Sequence, residues 1–172
     1  CALAAGRVYC WGENADGQVG DGTTDDQLLP RLVSSISDVI EIAAGGGHTC
    51  AVTAAGEVHC WGSNGFGELG DGTTMSRSVP TRAAATVSDF VRVAVGRNAT
   101  CALRRDGDVM CWGEGMEGSL GDGRGVNSVS PVRALAGGPV VGVSMGVSHV
   151  CVRLASDGVE CWGANGDSQV GR

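Results

Sequence analysis

The tripeptide Cys-Trp-Gly occurs four times in this chain of 172 residues, at Cys10-Trp11-Gly12, Cys60-Trp61-Gly62, Cys111-Trp112-Gly113 and Cys161-Trp162-Gly163. The steps between copies are 50, 51 and 50 residues. A unit of that length cannot bury its own apolar face, so its copies must stack on one another. Further positions keep the register. Nine residues after each Trp stands a glycine (Gly20, Gly70, Gly121, Gly171), always preceded by an aliphatic residue (Val19, Leu69, Leu120, Val170). Asp-Gly follows in three copies, at Asp21-Gly22, Asp71-Gly72 and Asp122-Gly123. Pro30, Pro80 and Pro131 each lie nineteen residues after a Trp. A second cysteine (Cys1, Cys50, Cys101, Cys151) precedes each Cys-Trp-Gly by nine or ten residues.

Each unit reads as short strands with no helical period. Val39–Ala44 is a β-rich run ending in Gly45-Gly46-Gly47, with equivalents at Phe90–Val95 and Val140–Met145. Thr49–Thr53 then turns through Ala54-Ala55-Gly56 into Glu57–Trp61, a hairpin whose glycine can take positive φ. A last strand begins near each proline, which lacks a ladder donor and belongs on an outer edge. Four short strands at a fixed repeat of this length predict all-β propeller blades.

Charge and hydropathy narrow the functional classes. The formal net charge is −7 and there is no block of Lys or Arg, so clustered positive charge for nucleic acid or anionic lipid is missing. No run of 18 apolar residues predicts a membrane span. The chain opens at Cys1, inside a unit and without an initiator Met, and reads as a piece of a longer protein.

The repeat resembles the regulator of chromosome condensation (RCC1-like) family, with cysteine-containing repeats of bacterial type. The residues that carry the resemblance are Gly46-Gly47-His48-Thr49-Cys50-Ala51-Val52, Gly56–Asn64 (Gly-Glu-Val-His-Cys-Trp-Gly-Ser-Asn) and Gly67-Glu68-Leu69-Gly70-Asp71-Gly72. The resemblance implies a propeller of seven blades, of which this chain supplies about three and a half as an open arc. The expected division is a partial blade over 1–34, blades over 35–84 and 85–135, and a partial blade over 136–172. The arc starts at the second strand of one blade and stops after the third of another. Three departures stand out: Asn98 where other copies have His48 and His149, Gly115 where they have Asn14, Asn64 and Asn165, and Gly158 one place late. The late glycine predicts a different hairpin turn in the fourth copy.

Hairpin arithmetic pairs Cys50 with Cys60 at a non-hydrogen-bonded position, where Cα atoms approach to about 4.5 Å and a disulfide can form. Cys101 with Cys111 shares that spacing, and a two-residue loop at Ala5-Gly6 gives Cys1 with Cys10 the same class of pair. Cys151 with Cys161 completes four local disulfides, one per blade. Eight reduced buried cysteines and a zinc site are the rivals. His48 and His59 lie near Cys50 and Cys60, but there is no Cys-x-x-Cys knuckle. Disulfides persist in oxidising compartments, so the expected location is extracytoplasmic, secreted or at the cell surface.

The remaining chemistry is weighed by whether it repeats. His48 and His149 recur at one position, which predicts a structural ring hydrogen-bonded between blades. Trp11, Trp61, Trp112 and Trp162 recur and are expected in blade cores with their N–H groups bonded to backbone. Gly20, Gly70, Gly121 and Gly171 are expected as structural turns. His59 does not recur and is expected at the surface. Asp21, Asp25 and Asp26 could suggest calcium, but the second copy reads Thr73-Thr74-Met75-Ser76, and an exposed acidic turn is expected instead. No Walker loop is present, and no catalytic residue, cofactor or metal is assigned.

The expected function is a non-catalytic protein-interaction scaffold. Specificity would lie in loop residues that differ between blades, with Phe66, Met75, Arg77 and Arg124 as candidate partner contacts. Two alternatives stay open. The family resemblance implies guanine-nucleotide exchange on a small GTPase, but steps of 50 and 51 residues leave no room for a wedge-like insertion. A carbohydrate- or ligand-binding propeller would need exposed aromatics that differ between blades. Unpaired strand edges at both ends also raise self-association. Arg172 stands where other copies read Asp, which favours a full protein that continues beyond this segment.

Overall fold

A computed structural model describes residues 1–83 and 87–171. The described residues form fourteen strands in four antiparallel sheets. The first sheet holds β1 (Ala2–Ala4), β2 (Arg7–Gly12) and β3 (Gln27–Leu32). The second holds β4 (Val39–Ala44), β5 (His48–Thr53), β6 (Val58–Gly62) and β7 (Arg77–Arg82). The third repeats it with β8 (Phe90–Val95), β9 (Ala99–Arg104), β10 (Val109–Gly113) and β11 (Ser128–Arg133). The fourth holds β12 (Val140–Met145), β13 (His149–Leu154) and β14 (Val159–Gly163). Strands are adjacent in sequence order within every sheet, so each is a four-stranded propeller blade, with the first lacking its inner strand and the last its outer one. The boundary expected at 84/85 and the residue Arg172 lie outside the described residues.

Hairpin register follows from the loops. In the second blade Val52 pairs with Val58, Ala51 with His59, and Cys50 with Cys60. The same offset brings Cys101 opposite Cys111 and Cys151 opposite Cys161. In the first blade Ala5 (φ 47°) and Gly6 (φ 75°) make the two-residue turn that joins β1 to β2. The outer pairings each slip by two residues beside the Trp, between Cys60 and Gly62 for example, where two residues of the third strand oppose four of the outer one. A bulge there bends the outer strand and adds twist.

Alternation along the strands gives each blade two apolar faces, and the core lies between blades. Val8, Cys10, Val19 and Val33 pack against Val39, Ala51 and Trp61 of the next blade. Cys50, Val52, Val58 and Leu69 then meet Phe90, Ala102 and Trp112. Cys101, Leu103, Val109 and Leu120 meet Val140, Val150 and Val152. One residue of β5 thus faces the preceding blade (Ala51) and its neighbours face the following one (Cys50, Val52).

Several expectations need correction. The counterpart of His48 and His149 in the third blade is Ala99 and not Asn98, since Ala99 stands opposite Gly113 as the two histidines stand opposite Gly62 and Gly163. Within residues 1–172 Trp11 has no second blade against it and is 45% exposed. The hairpin of the fourth blade does not differ from those of the second and third. Asp157 (φ 64°) takes the left-handed place of Gly56 and Gly107, and Leu154 donates to the Gly158 carbonyl as Thr53 does to Glu57. Asp tolerates that conformation better than most side chains. Gly115 has a larger local effect than one residue suggests. A single 3₁₀ turn at Met116–Gly118 follows it, the one helical element among the described residues.

Candidate functional site

The repeated residues build the interfaces between blades. The Trp61 indole N–H donates to the Gln18 carbonyl at 2.9 Å, Trp112 to Glu68 at 2.7 Å, and Trp162 to Ser119 at 3.1 Å. The same carbonyls accept a second bond from a threonine hydroxyl, Thr49 to Gln18 at 3.0 Å and Thr100 to Glu68 at 2.9 Å. Each of these three indoles packs against a glycine of the preceding blade. A Cβ at Gly20 or Gly70 would sit 2.5 or 2.8 Å from the ring nitrogen of Trp61 or Trp112. Gly121 meets Trp162 in the same way, whereas Gly171 has nothing against it.

His48 is buried between the second and third blades, and its Nε2 lies 2.7 Å from the Thr100 hydroxyl. That hydroxyl spends its proton on Glu68, so Nε2 is the protonated nitrogen and donates to it. Burial pushes the ring pKa down to about 4, so the imidazole is neutral. His149 differs from its expected role. It is partly exposed on the open face of the last blade, and among the described residues its ring has no hydrogen-bond partner. No following blade of this chain supplies the counterpart of Thr100.

The cysteines meet as the register requires. Four disulfides join Cys1–Cys10, Cys50–Cys60, Cys101–Cys111 and Cys151–Cys161, and no free cysteine remains. Cα–Cα separations are 4.0 to 4.1 Å. Cys50, Cys60, Cys101 and Cys111 are fully buried, while Cys1 is exposed and Cys151 and Cys161 are partly so.

The three long loops between third and fourth strands, and the segment 164–171 after the third strand of the last blade, lie together on one side of the arc. In the first two, an asparagine side chain is the hub. Asn64 accepts from the Leu69 N–H and donates to the Thr73 and Met75 carbonyls, and Asn14 does the same toward Val19, Thr23 and Asp25. Gly115 cannot, and the third loop is rebuilt around Asn127 and Ser119, which bond Gly115 N–H and the Glu114 carbonyl.

The candidate partner contacts fall on these loops and are not equivalent. Met75 is well exposed and Phe66 partly so. Arg124 is exposed, 3.9 Å from Asp122. Arg77 is committed within its own blade, donating from Nε and Nη2 to Asp71 at 3.0 and 2.8 Å. Burial raises the Asp71 pKa, but hydrogen bonds from Thr73 and Arg77 outweigh it and hold the carboxyl below the usual range. Asp21 is occupied by Thr23, and Asp26 accepts the Asn14 N–H. His59 is half-buried and 3.2 Å from Glu57. Sequence reasoning missed Glu68. It is buried and accepts the Phe66 N–H, and burial raises its carboxyl pKa. Gln18 at the equivalent place, bonded to Asp16 N–H, is the signal that could have found it.

Among the described residues no group of three or more His, Cys, Asp or Glu is arranged to hold a metal, and no helix is long and apolar enough to cross a membrane. A polar cleft of about 320 Å³ is lined by Arg97, Asn98, Glu114, Met116 and Val147 among others. Asn98 donates to Glu114 there at 3.0 Å.

Comparison with known proteins places this geometry. The model of the regulator of chromosome condensation (RCC1) repeat matches residues 5–52, 55–103 and 106–153. The chain is 34% identical over 179 residues to mouse (Mus musculus) E3 ubiquitin-protein ligase HERC2, covering 99% of this chain and 4% of that one. It is 33% identical to human probable E3 ubiquitin-protein ligase HERC4 (97% of this chain, 16% of the other). It is 34% identical to the Arabidopsis thaliana ultraviolet-B receptor UVR8 (96% and 39%). The chain therefore spans well under half of each of these relatives. Among solved structures, human WBSCR16 superimposes with a TM-score of 0.85 at 26% identity, covering 98% of this chain and 46% of that one. Prp20p from Saccharomyces cerevisiae gives 0.85 at 23% identity, with 99% and 44% covered, and attests the fold alone.

Proposed function

This chain belongs to the regulator of chromosome condensation (RCC1) repeat family, and from that premise we propose that it is a non-catalytic, extracytoplasmic scaffold that binds a protein partner through its long-loop side. One observation carries the reading. The repeated residues are consumed by the frame, as interface bonds, turns and disulfides, while the exposed loop positions change from blade to blade. Residues 25, 75 and 126 occupy one loop position and are Asp, Met and Val. A surface that differs at each blade over an invariant frame suits a single asymmetric partner better than a repeated small ligand. Propellers of this fold are described with protein partners: Kap60 bound to yeast RCC1 (Prp20), and Prp20p binding to Gsp1p and histones. The extracytoplasmic location rests on four disulfides in 172 residues, a density that a reducing cytosol does not sustain.

The test is site-specific photo-crosslinking with the natural full-length protein at positions 75, 126 and 106, in the secreted and surface fraction of its source. Positions 75 and 126 should yield adducts to the same protein and position 106, on the opposite side, none. Adducts only at 106, or none at any position, would overturn the proposal.

A further inference from the structure

The charge of this molecule is segregated. Eleven of its nineteen acidic residues and one of its twelve basic residues fall in the three long loops, 13–26, 63–76 and 114–127, and the segment 164–171. Together these carry a net −10 and the rest of the chain +3. Strands three and four are antiparallel in every blade that has both, so these loops share one side of the arc. Asp71 and Asp122 are offset by Arg77 and Arg124. Asp16, Asp25 and Glu117 have no cationic partner among the described residues.

The same rim is the place where apolar side chains stand in water. Met75 is 64% exposed, Met116 61%, Val126 57% and Phe66 37%. They follow one another around the arc. Gly17, beside Asp16, abuts Ser78, three residues beyond Met75; Gly67, beside Phe66, abuts Val129; and Gly115, beside Met116, abuts Val126. Two of the apolar positions are occupied by acid in another blade: Asp25 is the counterpart of Met75, and Glu117 of Phe66. The frame therefore does not require apolar residues there.

We propose that this acidic rim, with Phe66, Met75, Val126 and Met116 set into it, docks a cationic protein segment that carries apolar side chains among its Lys and Arg residues. The proposal rests on the scaffold reading above and adds the chemistry of the partner. Charge complementarity selects the occupant: a net −10 repels nucleic acid and anionic lipid alike. It also speeds encounter with a basic surface, while apolar anchors supply the short-range contact.

The probe is a fluorescently labelled amphipathic Lys/Leu peptide with its Glu/Leu counterpart, measured by anisotropy against the whole chain at low and physiological salt. The Lys/Leu peptide should bind, more weakly as salt rises, and the Glu/Leu peptide should not. Combined Asp16→Asn, Asp25→Asn and Glu117→Gln should weaken binding about tenfold. Phe66→Ser with Met116→Ser should weaken it comparably, with the thermal midpoint unchanged. Removing the same number of charges on the opposite side (Asp38→Asn, Asp106→Asn, Asp157→Asn) should leave it within about twofold. Equal loss in that control, equal binding of the Glu/Leu peptide, or no binding of the Lys/Leu peptide each overturns the proposal. If that happens while crosslinks still form at 75 and 126, the scaffold reading stands and only the cationic chemistry falls.

Discussion

The indole N–H of Trp112 donates to the Glu68 carbonyl of the preceding blade at 2.7 Å, and the Thr100 hydroxyl donates to the same oxygen at 2.9 Å. One carbonyl thus ties two strands of the next blade. Trp112→Phe removes the N–H but leaves Glu68 its threonine donor, so it should cost about 1–2 kcal/mol, from one hydrogen bond and a partly filled space. Trp112→Ala should cost about 3–5 kcal/mol. Trp11→Phe, at an indole 45% exposed, should change stability by less than about 0.5 kcal/mol. Denaturant unfolding of the three variants checks the order.

Gly67 has a φ of +90°, and a Cβ there would lie 2.7 Å from the Val129 Cα of the next blade. Backbone cannot yield as a side-chain end can. Gly67→Ala should therefore destabilise by more than about 2 kcal/mol, from strain and overpacking together. Gly65, with open space around its Cα, should accept alanine with little change, and a thermal melt of the pair distinguishes the two.

His48 couples stability to acid. Its pKa is pushed down to about 4 by burial, while in the unfolded chain it titrates near 6.5. Between those values the unfolded state binds the proton and the folded state does not. Stability from the neutral ring is complete above about pH 6.5 and declines as pH falls toward 4, by about 3 kcal/mol in all. His48→Ala, the residue that stands at the equivalent place in the third blade (Ala99, opposite Gly113 as His48 is opposite Gly62), should flatten the curve over that window. Unfolding free energies at pH 7, 5.5 and 4.5 for both proteins read the difference.

Much of the frame was legible because it is periodic. Val39–Ala44, Phe90–Val95 and Val140–Met145 are strands over the residues expected, and the loop Ala54–Gly56 set the register that opposes Cys50 and Cys60. What the sequence concealed is what depends on a neighbour. Trp11 and His149 carry the same residue types as Trp61 and His48, yet the packing of each is completed by a second blade, and residues 1–172 supply that blade only for Trp61 and His48. The turn at Asp157 was hidden by treating φ as glycine's property, although Asp can hold the left-handed conformation. The Arg77–Asp71 pair was hidden because Gln27 and Ser128 occupy the equivalent of Arg77, leaving no repeated signal. The acidic rim was in the composition but scattered, and only the strand order collects the loops on one side.

The most direct test of this account is a count of free thiols in the natively expressed protein, by alkylation and mass spectrometry without reductant. Four disulfides predict no free thiol among these eight cysteines, with Cys50–Cys60 and Cys101–Cys111 recovered as linked peptides. Each bridge closes a short loop worth about 2–3 kcal/mol. Eight free thiols in the native protein would contradict both the disulfide-stapled blades and the extracytoplasmic scaffold built on them.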